Sequence, residues 1–162
     1  MKLKFILGFF AILTLFFIGS TPSYAADETI TFDVYDENDQ LVDVIEEPVV
    51  EISDSEEPIF SIMANSYYFT ASFSSNIWIK NRANFRNPQN VDTSLSGRYP
   101  GPYGIRIYNS KNVYQGRIET RDAANWISFP VSQRAPRGDS YNFQLYNSGS
   151  GKIVVKEGYV YY

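Results

Sequence analysis

The sequence predicts an all-β protein, an antiparallel β-sandwich or small barrel preceded by an acidic, partly disordered N-terminal arm. Three observations predict this class. From Asn65 onward, short segments of alternating apolar and polar residues are separated by Gly, Asn, Ser and Pro. Almost no stretch of that region has helical period. Finally, residues 26–64 hold 13 acidic residues and neither Lys nor Arg, which marks them off from the rest of the chain.

Residues 1–25 have the features of a cleaved secretory signal peptide. Two lysines precede an apolar run over 5–18, and Ser23 and Ala25 stand at the −3 and −1 cleavage positions. The run falls short of the ~20 apolar residues that span a bilayer as a helix. We therefore expect a secreted, extracellular protein that starts at Ala26, without stable membrane insertion, and either released or associated with the cell wall. The simple signal and the absence of Cys suggest a bacterial, Gram-positive source.

The acidic segment 26–64 allows two interpretations. Alternating apolar residues over 30–34, a polar break at 36–39 and a second apolar stretch over 41–45 predict a hairpin over 29–45. Repulsion among the carboxylates favours disorder instead. Residues 46–64 are expected to be a linker. Asp36, Asn38, Gln40 and Glu47 match positions of a calcium-binding loop, but Leu41 stands where that loop needs Gly, so no metal site is predicted.

Residues 65–162 are expected to form one basic, aromatic-rich sandwich domain. The predicted strands cover residues 66–73, 76–80, 103–109, 112–119, 125–130, 140–147, 152–156 and 158–162. Alternation assigns three sets of side chains to the core. Lys111-Asn112 and residues 148–151 lie between predicted strands, where hairpin turns are expected. The core sets are Tyr67, Phe69, Ala71 and Phe73; Tyr103, Ile105 and Ile107; and Tyr141, Phe143 and Leu145.

Two segments between the predicted strands are candidates for a binding function. Residues 81–102 form the longest irregular stretch and carry Arg82 and Arg86, which suits either a binding loop or a solvated crossover between sheets. Arg137-Gly138-Asp139 matches an adhesion signature. Because Pro136 precedes Gly-Asp just before a strand, we predict a turn there instead.

The side chains available for catalysis are few. The chain has no His and no Cys, which excludes Ser-His-Asp and Cys-His mechanisms and removes the commonest transition-metal ligands. Glu119 and Asp122 are the only close pair of acids after residue 64, and we expect them in a turn with Arg117 and Arg121 as ion partners. No glycine-rich phosphate loop is present. The sequence thus predicts a protein that is not an enzyme and uses no cofactor.

A binding surface is better supported. Residues 65–162 hold twelve basic and five acidic residues, and alternation turns several aromatic and basic side chains away from the core sets. Together with two arginines of the 81–102 stretch, the candidates are Tyr68, Trp78, Lys80, Arg82, Arg86, Arg106, Tyr108 and Tyr146. Aromatic rings stack on sugars or bases while Lys and Arg attract anions. Alternatively, these residues belong to the second sheet's core or stiffen exposed strands by cross-strand pairing.

Three functions follow from these features. The leading hypothesis is a secreted, non-catalytic protein that binds an anionic polymer, namely a wall polymer, an acidic polysaccharide or extracellular DNA, with the acidic arm modulating the binding surface. The second is a membrane- or envelope-active antagonistic protein whose acidic segment is a pro-region. The third is a structural or interaction protein of the cell surface that assembles through edge strands such as 159–162.

Overall fold

The computed structural model describes residues 29–49 and 65–162. The predicted signal peptide and residues 50–64 of the predicted linker lie outside the described residues. Across the described ranges the chain is built from eleven strands and two short 3₁₀ turns, Ile79–Arg82 and Val131–Gln133. The strands are β1 (Thr29–Tyr35), β2 (Leu41–Pro48), β3 (Ser66–Phe73), β4 (Asn76–Trp78), β5 (Phe85–Arg86), β6 (Val91–Leu95), β7 (Tyr99–Asn109), β8 (Tyr114–Ala123), β9 (Trp126–Phe129), β10 (Ser140–Asn147) and β11 (Ile153–Tyr161).

These strands form two antiparallel sheets, as the sequence predicts. The larger sheet has the order β2-β1-β8-β7-β10-β4, with β5 also paired to β10. The smaller sheet has the order β3-β11-β6-β9. The fold is therefore a β-sandwich, in which each strand turns one row of side chains inward and the next row outward.

The hairpin that the sequence allows over 29–45 is present as β1 and β2, and it is longer than predicted because β2 continues to Pro48, into the predicted linker. Its turn is held by Asp36, whose Oδ1 accepts hydrogen bonds from the backbone N–H groups of Asn38 and Gln40, each at 2.9 Å. Backbone N–H donation, chiefly from Gln40, lowers the pKa of Asp36. Because β1 pairs with β8, the hairpin forms one edge of the larger sheet.

The core lies between the two sheets and is rich in aromatic rings. The predicted inward sets are confirmed: all members of the Tyr103 and Tyr141 sets are buried, as are Phe69 and Phe73, while Tyr67 and Ala71 are partly buried and pack against the core. Rings join the layers, since Tyr103 of the larger sheet meets Phe129 of the smaller one edge-to-face at 5.4 Å. Phe32 of β1 meets the same Phe129 at 5.6 Å. The hairpin therefore contributes to the same core as the rest of the sandwich.

Several boundaries differ from the sequence-based prediction. The 81–102 stretch contains β5, β6 and the start of β7. Its strand β6 was missed because three polar residues, 92–94, follow one another, yet Asp92 and Thr93 are buried. The predicted strands 152–156 and 158–162 are one strand, β11, with a register shift between Val155 and Gly158. This strand lies inside its sheet, so the 159–162 segment is not an edge.

Two predicted turns have different outcomes. Residues 148–151 do not close a hairpin, because β10 and β11 belong to opposite sheets and the segment crosses between them. The Arg137-Gly138-Asp139 segment is a turn, as predicted. Gly138 has φ of 104°, and its N–H donates to Oδ1 of Asn87 at 2.7 Å.

Candidate binding surface

The outer face of the larger sheet carries a run of aromatic rings. Trp78 on β4 contacts Tyr108 on β7, with ring centroids 4.9 Å apart, and Tyr108 contacts Tyr114 on β8 at 5.5 Å. We call these three residues the aromatic strip. The strip runs from the β4 edge towards β8 and crosses β10, whose Gln144 is paired with Trp78 and whose Asn142 is paired with Tyr108.

Two arginines accompany the aromatic strip. The guanidinium of Arg82 lies over the Trp78 ring at 4.1 Å from its centroid, and that of Arg106 lies over the Tyr146 ring at 4.5 Å. Arg106 also donates to Oε1 of Gln144 at 3.1 Å. Within residues 29–49 and 65–162, neither arginine forms an ion pair with a carboxylate. Their positive charge is therefore available to an anionic ligand.

A row of paired residues, Tyr146, Gly104 and Glu119, crosses β10, β7 and β8 beside the strip. The Tyr146 hydroxyl passes over Gly104 and donates a hydrogen bond to Oε2 of Glu119. Burial, followed by that hydrogen bond, raises the pKa of Tyr146, so the hydroxyl keeps its proton and remains a donor. Although Tyr146 faces away from the core, only 2% of it is exposed. It therefore supports Arg106 rather than presenting a free ring.

A cleft of about 550 Å³ opens over this row. Its lining combines two cations with two carboxylates and three tyrosines, and consists of Asp39, Pro102, Arg106, Tyr108, Tyr114, Arg117, Glu119, Tyr146 and Ser148. The turn of the hairpin supplies Asp39, which accepts a hydrogen bond from the Tyr114 hydroxyl at 2.7 Å. The acidic hairpin thus forms one wall of the cleft.

Carboxylates of the hairpin neutralise three arginines of the body. Asp39 pairs with Arg117, Glu37 with Arg134 at 2.9 Å, and Asp33 with Arg121 at 3.1 Å. The charge around the hairpin is therefore compensated, while Arg82 and Arg106 on the β4 side are not.

The acids and arginines of β8 depart from the predicted arrangement. Glu119 lies within β8 rather than in a turn, and its partners there are Arg117 at 3.4 Å and Tyr146. Arg121 pairs with Asp33 of the hairpin. Burial opposes the charge on Arg117, but neighbouring negative groups, Glu119 and Asp39 among them, raise its pKa overall. Arg117 therefore stays charged between two carboxylates.

The structure divides the sequence-predicted site residues into three groups. Trp78, Arg82, Arg106, Tyr108 and Tyr146 lie together on the outer face of the larger sheet. Two others lie at its borders, since exposed Arg86 is paired with Ser140 and Lys80 lies over the Tyr67 ring at 4.6 Å.

Tyr68 belongs to the other sheet, because strand alternation reports which way a side chain points but not which sheet carries it. Sequence reasoning also missed Tyr114, Gln144 and Arg117. The Lys111-Asn112 turn was a usable signal for Tyr114, because a hairpin places Tyr114 opposite Tyr108.

The outer face of the smaller sheet carries tyrosine rings and a buried carboxylate. A row of paired residues crosses it, Tyr68, Tyr159, Asp92 and Ser128, and Trp126 contacts Tyr159 at 6.1 Å. Asp92 is fully buried, and its Oδ1 accepts a hydrogen bond from the Ser128 hydroxyl at 2.7 Å, whereas its Oδ2 has no partner. Burial raises the pKa of Asp92 to about 6.

Replacing Asp92 by Asn should stabilise the fold at neutral pH. The folded carboxyl takes up its proton near pH 6 and the unfolded one near 3.8, so burying the charge costs nothing below 3.8 and costs most above 6. We expect the free energy of unfolding of Asp92→Asn to exceed that of the parent by about 1–3 kcal/mol at pH 7.5. The difference should disappear near pH 3.5. Urea unfolding at both pH values measures it.

The matched control for this prediction is Glu46→Gln, which removes an exposed carboxylate of β2. Its effect should stay within about 0.5 kcal/mol at both pH values. An Asp92→Asn variant that is less stable than the parent at pH 7.5 would contradict the prediction, because the hydrogen bond from Ser128 would then outweigh the desolvation of the charge.

Residues 29–49 and 65–162 contain neither a metal-binding cluster nor a membrane-spanning helix. No group of three or more His, Cys, Asp or Glu residues there is placed to hold a metal ion. No helix in the same ranges is long and apolar enough to cross a membrane. Comparison with known proteins gives no match to a protein-family model, a curated protein or a solved structure.

Proposed function

We propose that this chain is a secreted, non-catalytic β-sandwich protein that binds an anionic, sugar-containing polymer outside the cell or in the cell wall. The observation that carries the proposal is the placement of Arg82 and Arg106 beside the aromatic strip, on one face and without carboxylate partners among the described residues. The strip offers flat rings to sugar faces, while the two guanidinium groups bind phosphate or carboxylate.

The polymer class follows from combining rings with unpaired cations. Rings alone suit neutral sugars, and cations alone suit any polyanion. A wall polymer or an acidic polysaccharide supplies sugar faces for the aromatic rings and anionic groups for the arginines. Extracellular DNA supplies bases for the rings and phosphates for the arginines. Asn76 and Gln144, joined at 3.1 Å beside the strip, add amide groups that hydrogen-bond hydroxyls.

The acidic hairpin modulates this surface because its carboxylates neutralise nearby arginines and so limit where uncompensated positive charge remains. Asp33, Glu37 and Asp39 compensate the arginines around β8, which leaves the uncompensated charge on the β4 side of the sheet. Because coulombic attraction between exposed charges extends only about 8 Å at physiological salt, a bound polymer is expected to follow that side. Removal of the hairpin would also take Phe32 and Val34 out of the core.

That last point bears on the rival functions. A removable pro-region covering 26–64 would have to leave the sandwich without β1 and its buried side chains. Assembly through exposed strands would use the sheet edges, which are β2 and β4 in one sheet and β3 and β9 in the other. Assembly through these edges makes no use of the two arginines stacked on rings.

Removal of the two unpaired arginines should weaken polymer binding. Sedimentation with purified anionic bacterial cell walls, at low and high salt, compares the parent with the double variant Arg82→Gln/Arg106→Gln. We expect salt-sensitive binding by the parent and at least about tenfold weaker binding by the variant, because each charge-assisted hydrogen bond contributes about 1.5–3 kcal/mol. Loss of Trp78 in Trp78→Leu should weaken binding further.

Matched controls separate this surface from net charge and from general aromatic stickiness. Lys152→Gln/Lys156→Gln removes the same number of charges from exposed positions outside the strip, and Tyr68→Leu removes an exposed ring from the smaller sheet. Both should bind within about twofold of the parent. Equal weakening by the two double variants would show that polymer binding depends on net charge and not on the positions of Arg82 and Arg106. Absence of binding by the parent would overturn the proposal.

A further inference from the structure

A second group of aromatic rings lies on the outer face of the smaller sheet, on the opposite side of the sandwich from the aromatic strip. Tyr68 on β3 contacts Tyr159 on β11, with ring centroids 5.4 Å apart, and Tyr159 contacts Trp126 on β9 at 6.1 Å. We call these three residues the aromatic platform. It reaches from one edge strand of the smaller sheet to the other, and polymer binding on the larger sheet makes no use of it.

The rings of the aromatic platform differ in orientation. The planes of Tyr159 and Trp126 are inclined by 33°, whereas the Tyr68 ring is tilted by 60° from Tyr159. The platform therefore offers two rings of similar orientation and a third ring at an angle to them. Neighbouring strands are about 4.8 Å apart, so a platform across four strands is about 14 Å long. This length has room for several consecutive sugar units.

The central ring of the platform is held from within the sheet. Tyr159 is paired with the buried Asp92, whose neighbour on β9, Ser128, donates a hydrogen bond to it at 2.7 Å. Burial, followed by the negative charge of Glu157, raises the pKa of Tyr159. The Tyr159 hydroxyl therefore keeps its proton and is able to donate a hydrogen bond to a sugar oxygen.

The smaller sheet has few cations near the aromatic platform. Among its described strands, β3, β6 and β9 contain neither Lys nor Arg. Strand β11 contains one cation, Lys156, and Glu157 follows it directly. Arg98 and Arg121 line a cleft together with Trp126, at one end of the platform. The platform thus differs from the aromatic strip, where a guanidinium lies directly over a ring.

Hydroxyl side chains accompany the platform instead. Alternation turns four of them to the outer face of the smaller sheet, namely Thr70, Ser72, Ser94 and Ser128. We propose that the aromatic platform binds a neutral, unsubstituted hexose polymer, specifically an extended β-linked glucan. Its flat sugar faces lie on the rings, and its hydroxyls exchange hydrogen bonds with the Ser and Thr side chains. With the proposed anionic polymer on the larger sheet, the sandwich then links two polymers of different charge.

The two tryptophans of the chain provide a separate fluorescence signal for each face, because one lies in each aromatic group. Trp78→Leu leaves Trp126 as the only tryptophan, and Trp126→Phe leaves Trp78. Titration with cellohexaose, a soluble neutral β-linked glucan fragment, should shift the emission of Trp78→Leu saturably and leave that of Trp126→Phe unchanged. The shift should be equal at low and high salt, because no ion pair contributes to it.

Two results of this titration would overturn the proposal. Absence of a saturable shift in Trp78→Leu would show that the platform does not bind the glucan. A shift confined to Trp126→Phe would place the glucan on the aromatic strip instead.

Variants of Tyr68 in the Trp78→Leu background test whether the ring itself is used. Tyr68→Leu should weaken cellohexaose binding at least about fivefold, whereas Tyr68→Phe, which keeps the ring, should stay within about twofold. Because Tyr68 is exposed, both variants should remain folded. Unchanged affinity in Tyr68→Leu would contradict the role assigned to this ring.

Sedimentation with cell walls separates this proposal from the anionic surface. Tyr68→Leu should bind walls within about twofold of the parent, and Arg82→Gln/Arg106→Gln should bind cellohexaose as the parent does. Glucan binding without wall binding would support the platform and overturn the anionic surface, and wall binding without glucan binding would do the reverse. A single variant that weakens both ligands equally would overturn the platform as a separate site.

Discussion

Replacing Phe32 by alanine should lower the free energy of unfolding by about 3–5 kcal/mol, since Phe32 is fully buried and packs edge-to-face on Phe129. Small domains have about 5–15 kcal/mol of stability in total, so this one change in the acidic hairpin should place the protein close to unfolding. The loss arises because the truncated side chain leaves a cavity between β1 and the smaller sheet. Urea unfolding followed by tryptophan fluorescence measures it.

The control for this prediction lies in the same hairpin. Val42 on β2 is 53% exposed, and Val42→Ala should change the free energy of unfolding by less than about 0.5 kcal/mol. If both variants were equally mild, the hairpin would be a peripheral addition to an otherwise complete sandwich. A large effect of Phe32→Ala alone identifies β1 as part of the folding unit.

Gly104→Ala is expected to have the second largest effect. A Cβ at this position would lie 2.5 Å from the backbone oxygen of Ile118 and 2.8 Å from both Glu119 Cβ and the Tyr146 hydroxyl. Because the nearest atom belongs to the backbone of the neighbouring strand, β7 and β8 would have to separate. Overpacking of this kind costs about 1–3 kcal/mol, and loss of the Tyr146–Glu119 hydrogen bond adds to it.

Thermal unfolding of Gly104→Ala and Gly97→Ala measures this effect. A Cβ at Gly97 would meet no atom within 4 Å, so this variant should unfold at nearly the temperature of the parent. Equal melting temperatures for all three proteins would show that the sheet yields at Gly104 without loss, and that the row from Tyr146 to Glu119 is loosely packed.

Local alternation was sufficient to predict the fold class and most of the core. Strands β3 and β10 match their predicted bounds, and their inward residues are buried or partly buried in the core, because period-two patterns depend only on neighbouring residues. Strand β6 was not predicted because Asp92 and Thr93 are polar residues that the structure buries. Their burial depends on partners distant in sequence, so the local sequence shows no alternation of apolar and polar residues.

The candidate surface was predictable only in part, for a related reason. Alternation shows that Trp78 and Tyr108 point away from the core, and the structure places their rings in contact. It does not show which strands are neighbours, so Tyr68 was grouped with residues of the opposite sheet. The left-handed turn at 80–82 has no sequence signature either, since Lys and Arg rarely adopt that conformation.

The pairing of β1 with β8 has a consequence for the order in which the protein assembles. Asp33 and Arg121, whose ion pair joins these strands, are 88 residues apart in the chain. During synthesis the N-terminal hairpin appears first and has to wait for its neighbouring strand, and long-range pairings of this kind slow folding. The larger sheet therefore cannot close until β8 has been synthesised, so the chain stays extended through most of its own synthesis.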